Sequence, residues 1–351
     1  ENTVEVNGQK ITADKILIAT GGTPRIPDIP GNDLFSNSDD MFALKKRPDH
    51  IIVYGGGYIA TEFASIMRGH GCEVVLVYRG PMILRGFDGD MRIHAAEELQ
   101  KRGIHLSLNC EIENIKKLDN GRLLADTTHC KDIETDVVLA ATGRVANIDT
   151  LNLRACGLGL QDNGLIDVDQ EYATKIPHIY AIGDIIGEFQ LTPVAIAEGH
   201  YLADKLFAAK DAPRHPYPNY NLIPTSVFTN PPIGAVGLTE EDAIEKYGED
   251  HVLCYKTKFR PMKFTLPDRD EKAVMKLIVH RDTDKVIGLH MCGHDAPEIV
   301  QGFALAIEMG AKKQDFDRMI GIHPTSGEEF FTMRQPVPAK KRDHRLNQET
   351  H

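Results

Sequence analysis

Apolar and polar positions alternate in two distinct ways along this chain. Four short uninterrupted apolar runs stand in its first part: Ile16-Leu-Ile-Ala, Ile51-Ile-Val-Tyr, Val74-Val-Leu-Val-Tyr and Val137-Val-Leu-Ala-Ala. Runs of that length read as strands buried on both faces, as in a parallel sheet. Between them lie helical patterns, one through Phe63, Ile66 and Met67 and one over Asp90–Arg102. Asn7-Gly8 and Asn120-Gly121 mark hairpins. Strands are also expected through Leu106 and Ile112 and at Ile179-Tyr-Ala-Ile. From residue 221 the pattern changes. Val227-Phe-Thr, Val252 to Lys258, Ala273-Val-Met-Lys-Leu-Ile-Val-His and Val286-Ile-Gly-Leu-His-Met read as antiparallel strands. A helix over Glu298–Met309 follows, with an apolar stripe at Ile299, Phe303 and Ala306. Pro24, Pro27 and Pro30 form a crossing loop. The expected division is 1–46 with 146–220 as one unit, 47–145 as a second, 221–335 as a third, and 336–351 as a polar tail.

The central stretch is Ile51-Ile-Val-Tyr-Gly-Gly-Gly-Tyr-Ile-Ala-Thr-Glu62. A strand, a Gly55-x-Gly57-x-x-Ala60 turn and a helix stand in the order of a dinucleotide fingerprint, where glycines admit a pyrophosphate to a helix N-terminus. The plainer alternative is a strand–turn–helix that merely packs tightly. The next strand ends at Tyr78-Arg79 with no acid to grip a ribose 2′-hydroxyl, and Arg85 follows six residues on. Two guanidinium groups there suit a 2′-phosphate, and their alternative is an ordinary pair of surface arginines. Ala140-Ala-Thr-Gly143 echoes Ala19-Thr-Gly21, so two dinucleotide-type halves share one design. Asp184 follows a short strand and suits either a sugar hydroxyl or a turn cap. Leu191-Thr192-Pro193 opens a helix whose N-terminus suits a ring that gains negative charge.

Composition narrows the partners. A net charge of −11 argues against nucleic acid and anionic membranes. No apolar run reaches the roughly 20 residues of a membrane helix, and no leader is visible, so a cytoplasmic setting is expected. The six cysteines are scattered, with neither zinc-site nor disulfide-scaffold spacing. No metal is expected.

Taken together, the ordered motifs resemble the flavin disulfide reductases, in particular the NADPH-dependent branch acting on glutathione disulfide. Ala-Thr-Gly, Gly-x-Gly-Tyr-Ile-Ala-x-Glu, Ala-Thr-Gly-Arg, Ala-Ile-Gly-Asp, Leu-Thr-Pro-Val-Ala, Pro-Pro-Ile-Gly-x-Val-Gly-Leu-Thr and His-Pro-Thr occur in that order. The resemblance covers the chain to about residue 335. It implies an α/β fold: an FAD domain, here incomplete, interrupted by an inserted NADPH domain, both Rossmann-like, and an α+β C-terminal dimerisation domain. It also implies roles. Gly55, Gly56, Gly57 and Ile59 line the NADPH, Tyr58 is the gate at its nicotinamide end and Glu62 the carboxylate beside it. Arg79 and Arg85 hold the 2′-phosphate, with Gly143 near the cofactor and Arg144 behind it. Thr20, Gly21, Asp184, Leu191 and Thr192 belong to the FAD site. In a homodimer His323 reaches the partner subunit's site as acid–base, because imidazole titrates near working pH. Glu328 orients that ring, although Thr325-x-x-Glu328 is also a capping box.

Two departures qualify the resemblance. The family's first FAD glycine motif is absent, as is its redox cysteine pair spaced C-x4-C, which none of the six cysteines matches. This polypeptide alone is therefore expected not to reduce disulfides, and a non-catalytic NADPH-binding or interaction module is the alternative from a different class. His200 stands where the branch commonly has an arginine for a glutathione carboxylate, and Gly327 replaces a Ser or Ala. Trypanothione, mercuric or lipoamide reductases are the alternatives within the frame. Replacing Arg79→Glu together with Arg85→Ala should weaken NADPH far more than NADH. One lost charge-assisted contact costs about 1–3 kcal/mol, and titration with both nucleotides checks the difference.

Overall fold

The computed structural model describes residues 2–187 and 189–338, so the expected polar tail lies outside the described residues from residue 339 onward. Two compact units are present, residues 1–25 with 143–220, and residues 26–142 with 221–351.

The first unit opens with the hairpin Thr3–Val6 and Gln9–Thr12. Asn7 (φ 51°) and Gly8 (φ 78°) both take the left-handed region, as a two-residue hairpin turn of this type requires. Ile16–Ile18 pairs in parallel with Ile179–Ala181, and Gly22–Pro24 pairs antiparallel with Arg144–Ala146. Ile18, Ala146, Ile148, Leu158, Ile166 and Ile185 make its small core. The helix Thr192–Phe207 carries Pro193 in its first turn, where a missing N–H costs nothing.

The second unit is built on a four-stranded parallel sheet. Its order is Val137–Ala140, His50–Tyr54, Glu73–Tyr78, Ile104–Leu108. The helices Tyr58–Gly69 and Gly89–Lys101 complete the βαβ pattern that these apolar runs predict. A three-stranded antiparallel sheet (Ile112–Lys117, Leu123–Thr127, Ile133–Thr135) has the Asn120-Gly121 turn between its first two strands. The five-stranded antiparallel sheet runs Thr225–Val227, Ile233–Gly237, Lys285–Cys292, Ala273–His280, Val252–Phe259. One cluster of buried side chains runs from Val53, Leu76 and Leu139 to Val227, Ile233, Val274 and Cys292, so the two sheets share a core.

Two local readings shift. The strand at residue 227 ends there, and Phe228 is exposed, because its N–H donates to the Glu62 carboxylate at 2.8 Å instead of to a neighbouring strand. In the helix Ala296–Glu308 the core face is Ala296, Val300, Ala304 and Ile307, one position on from the stripe at Ile299, Phe303 and Ala306. The helix is apolar over a wide arc, and the second stripe lines a shallow apolar groove with Phe316, Met319 and Phe331. Four cysteines are buried and two, Cys130 and Cys156, are exposed. Among the described residues no helix is long and apolar enough to cross a membrane.

A buried charge cluster joins the parallel-sheet part to the five-stranded sheet. Lys276, only 1% exposed, lies 2.7 Å from Asp88, 3.0 Å from Asp90 and 2.5 Å from Glu240. Burial pushes the Asp88 carboxyl up, but the Lys276 and His290 charges outweigh it and hold Asp88 below the usual carboxylate range. Burial pulls Lys276 down, yet the three carboxylates hold it well above an ordinary lysine. Lys276→Ala would leave those carboxylates facing one another without a cation. Loss of one partner of a buried pair costs about 3–5 kcal/mol, read as a lower urea midpoint at neutral pH. A depressed carboxyl stabilises above its unfolded value near pH 4 and loses that contribution as pH falls through the folded value. The gap between wild type and Lys276→Ala should therefore narrow in acid.

Candidate functional site

The glycine turn shows what each glycine does. Gly55 has φ 146°, and a Cβ there would stand 2.1 Å from the Ala141 carbonyl oxygen. A Cβ on Gly56 would enter the Tyr78 ring at 2.5 Å. Packing alone accounts for these two. Gly57 is different: a Cβ on it would meet nothing within 4 Å, although it caps the helix Tyr58–Gly69 without any side-chain hydrogen bond. The helix N-terminus therefore opens onto free space with its positive dipole end, the geometry that receives a phosphate. Ala60 is fully buried where the helix meets the sheet.

The 2′-phosphate candidates sit beside this turn. Arg79 and Arg85 are both exposed, and neither forms an ion pair with a described residue. The loop between them is tied to the glycine turn by the Leu84 N–H, which donates to the Gly56 carbonyl at 2.6 Å. Ile59 is half-buried against the core, and Tyr58 is 39% exposed one turn before Glu62. Burial raises the Glu62 carboxyl, and the Phe228 N–H partly offsets this.

In the histidine segment Glu328 touches both the His323 ring and the Thr325 backbone, while the short helix itself begins only at Glu329. Glu328 Oε1 lies 3.0 Å from His323 Nδ1 and also accepts from the Thr325 N–H at 3.3 Å. The Thr325 hydroxyl accepts from the Glu328 N–H at 3.3 Å. A carboxylate only accepts, so in this contact Nδ1 carries the proton and Nε2 is left without one in the neutral ring. The His323 side chain is 76% exposed, and it directly follows a segment in which Ile320 (91%) and Ile322 are exposed as well. Gly327 has no steric need to be glycine, since a Cβ would meet its nearest neighbours at 4.0 Å.

The first unit gathers the flavin candidates. The Arg144 guanidinium donates to the Gly22 carbonyl, and a Cβ on Gly22 would lie 3.2 Å from the Asp184 carboxylate. Thr20 and Gly21 are bound through their carbonyls by the Asn147 side chain and N–H. Gly143 (φ 124°) accepts from the Arg25 N–H at 2.9 Å. Leu191 caps the helix that Thr192 begins. His200 stands 4.6 Å from the His215 ring, and His215 bonds Asp204 at 2.6 Å. Gly143 and Arg144 belong to this unit, whereas Gly55 to Arg85 belong to the other.

Several residues escaped the sequence reading. Glu198, 3% exposed, accepts from the Gly183 N–H at 2.6 Å and from the Tyr220 hydroxyl at 2.7 Å. Tyr172 meets Tyr220 at 2.8 Å, and burial pushes both phenols up. This chain of bonds holds the turn that presents Asp184. The buried Lys276 was visible only as a lone charge inside the apolar run Ala273–His280.

Comparison with known proteins agrees with this arrangement. Residues 1–199 match the pyridine nucleotide-disulphide oxidoreductase family, and residues 223–334 match the dimerisation domain of that family. The chain is 44% identical to a glutathione reductase of Nostoc sp., covering 95% of this chain and 74% of that protein. It is 44% identical to a glutathione reductase of Burkholderia cepacia over 95% of this chain and 73% of that one. A chloroplastic/mitochondrial glutathione reductase of Pisum sativum is 44% identical over 96% of this chain and 60% of its own length. The HOCl-induced flavoprotein disulfide reductase RclA of Escherichia coli superposes with a TM-score of 0.84 at 26% identity, covering 95% of this chain and 77% of that one.

The glycines offer a clean separation of packing from binding. Gly57→Ser adds a side chain into open space and a better helix cap, so stability, read from the urea midpoint, should hold or rise by about a few tenths of a kcal/mol. Nucleotide binding, followed by fluorescence titration, should weaken. Gly55→Ala should instead lose stability outright, by about 1–3 kcal/mol, since backbone must move.

Proposed function

This chain belongs to the pyridine nucleotide-disulphide oxidoreductase family, and from that premise we propose that it serves the NADPH-dependent reduction of glutathione disulfide. The pair of exposed arginines beside the open glycine turn, neither in an ion pair with a described residue, carries the reading. They favour NADPH over NADH, and the 44% identity to glutathione reductases favours glutathione disulfide over trypanothione, lipoamide or mercuric ion. The working form is a homodimer, as the match to the dimerisation domain supports.

FAD, when bound, relays a hydride from NADPH to a redox-active cysteine pair, which this sequence does not contain. The residues fit the two nucleotides. Gly57 and the N-terminus of the helix Tyr58–Gly69 receive the pyrophosphate of NADPH, where a Cβ would meet nothing. Arg79 and Arg85 hold its 2′-phosphate, and Tyr58 with Glu62 closes the nicotinamide end. Thr20, Gly21, Asp184, Leu191 and Thr192 serve the FAD, Asp184 taking a ribityl hydroxyl at a turn held by Glu198.

His323 moves the protons. Its Nε2 takes the proton of the attacking thiol and returns it to the departing glutathione thiolate, in the partner subunit's site. The exposure of its side chain and of Ile320 and Ile322 suits a segment that another subunit covers. Glu328 fixes the tautomer through Nδ1 at 3.0 Å. His200 is the candidate for a glutathione carboxylate.

The assignment is checked in the enzyme that also carries the cysteine pair. His323→Ala should leave the rate of flavin reduction by NADPH unchanged in stopped-flow, while turnover with glutathione disulfide falls by about 10²-fold or more, the usual worth of a general acid–base. A slowed reductive half-reaction would contradict the role.

A further inference from the structure

The segment bearing the two 2′-phosphate arginines is shaped from beneath. Met82, Ile83 and Leu84 are all buried, although they lie between exposed Arg79 and Arg85. Leu84 holds a left-handed φ of 57°, rare for such a side chain. Its N–H donates to the Gly56 carbonyl, and the Phe87 N–H returns to the Leu84 carbonyl at 3.1 Å. Below this turn sits Arg92, 5% exposed, on the helix Gly89–Lys101. Its Nε donates to the Ile83 carbonyl at 2.7 Å and its Nη2 to the Met82 carbonyl at 2.8 Å. Asp88 closes the segment by accepting from the Asp90 N–H at 3.0 Å.

We propose that Arg92 is a positioning residue for nucleotide choice: by pinning the Met82 and Ile83 carbonyls it holds Arg85 where it and Arg79 grip one 2′-phosphate. This rests on the reading of Arg79 and Arg85 given above. A planar guanidinium meets two consecutive carbonyls at once, whereas an ammonium at the same site cannot present that fork. Without it, two buried carbonyls lose their donors and the turn relaxes toward water. Because Leu84 also holds Gly56, the pyrophosphate turn and the arginine loop form one piece. Arg92 acts on the loop two residues before Arg85, so its loss is felt first at the 2′-phosphate, which NADH lacks.

The test uses residues 1–351 titrated with NADPH and with NADH by nucleotide fluorescence, with folding followed by near-UV circular dichroism. Wild type, Arg85→Ala, Arg92→Lys and the double variant are compared. Arg85→Ala and Arg92→Lys should each weaken NADPH roughly tenfold or more and leave NADH within about twofold. The double variant should be no worse than the weaker single one, since both remove the same contact. The proposal is overturned if folded Arg92→Lys keeps wild-type NADPH affinity, if it loses both nucleotides alike, or if the two effects multiply. Should Arg92→Lys not fold, Arg92→Gln takes its place, and failure of both to fold makes Arg92 a folding residue and overturns the proposal too. If wild type does not distinguish the nucleotides, or Arg85→Ala is silent, the reading of the arginines itself fails and the proposal falls with it. A silent Arg92→Lys beside an effective Arg85→Ala sinks the Arg92 proposal alone.

Discussion

The close approach of backbone to backbone at Gly55 and Gly56 is the constraint on which the nucleotide-binding part depends. Without a Cβ at Gly55, the strand Val137–Ala140 can run on until the Ala141 carbonyl nearly touches the turn. Without one at Gly56, the Tyr78 ring lies directly beneath it. The second Ala-Thr-Gly and the end of the strand Glu73–Tyr78 are thus brought against the first turn by the absence of two methyl groups. Gly57, released from packing, is left for a ligand. One motif therefore serves two masters, and the geometry separates them residue by residue.

Charge does the second part of the organisation. Lys276 enters from the five-stranded sheet and is met by Asp88, Asp90 and Glu240, with Lys256 adding a second cation at 2.9 Å from Asp90. Asp88 also caps the helix on which Arg92 sits. The loop that displays Arg79 and Arg85 is consequently anchored at its far end to a strand nearly two hundred positions away in sequence. A buried network of this kind contributes less to net stability than to a defined arrangement, since desolvation offsets much of the attraction.

The histidine segment follows another logic. Glu328 serves the backbone of Thr325 and the ring of His323 with a single oxygen, so the cap of the turn and the orientation of the ring are one interaction. That economy leaves the His323 ring exposed beside Ile320 and Ile322, which are exposed too.

Much was legible in the chain itself. The uninterrupted apolar runs, the Asn-Gly hairpins and the glycine spacing determined the parallel sheet and its turns, because those features depend on local sterics and on periodicity. The absence of an acid after the second strand and the presence of Arg79 and Arg85 likewise spoke from sequence alone. The tertiary structure decided the rest. Only it put Lys276 among three carboxylates, set Arg92 under the Met82 and Ile83 carbonyls, tied Glu62 to the Phe228 N–H and strung Glu198 between Gly183 and Tyr220. It also turned the helix Ala296–Glu308 by one position, so that Val300 and Ala304 face the core. Most of these partners are far apart in the chain, and Arg92 meets its carbonyls only because the loop folds back beneath the glycine turn. Periodicity reports which face of an element is apolar. It does not report which polar group on another element will arrive to satisfy a buried charge.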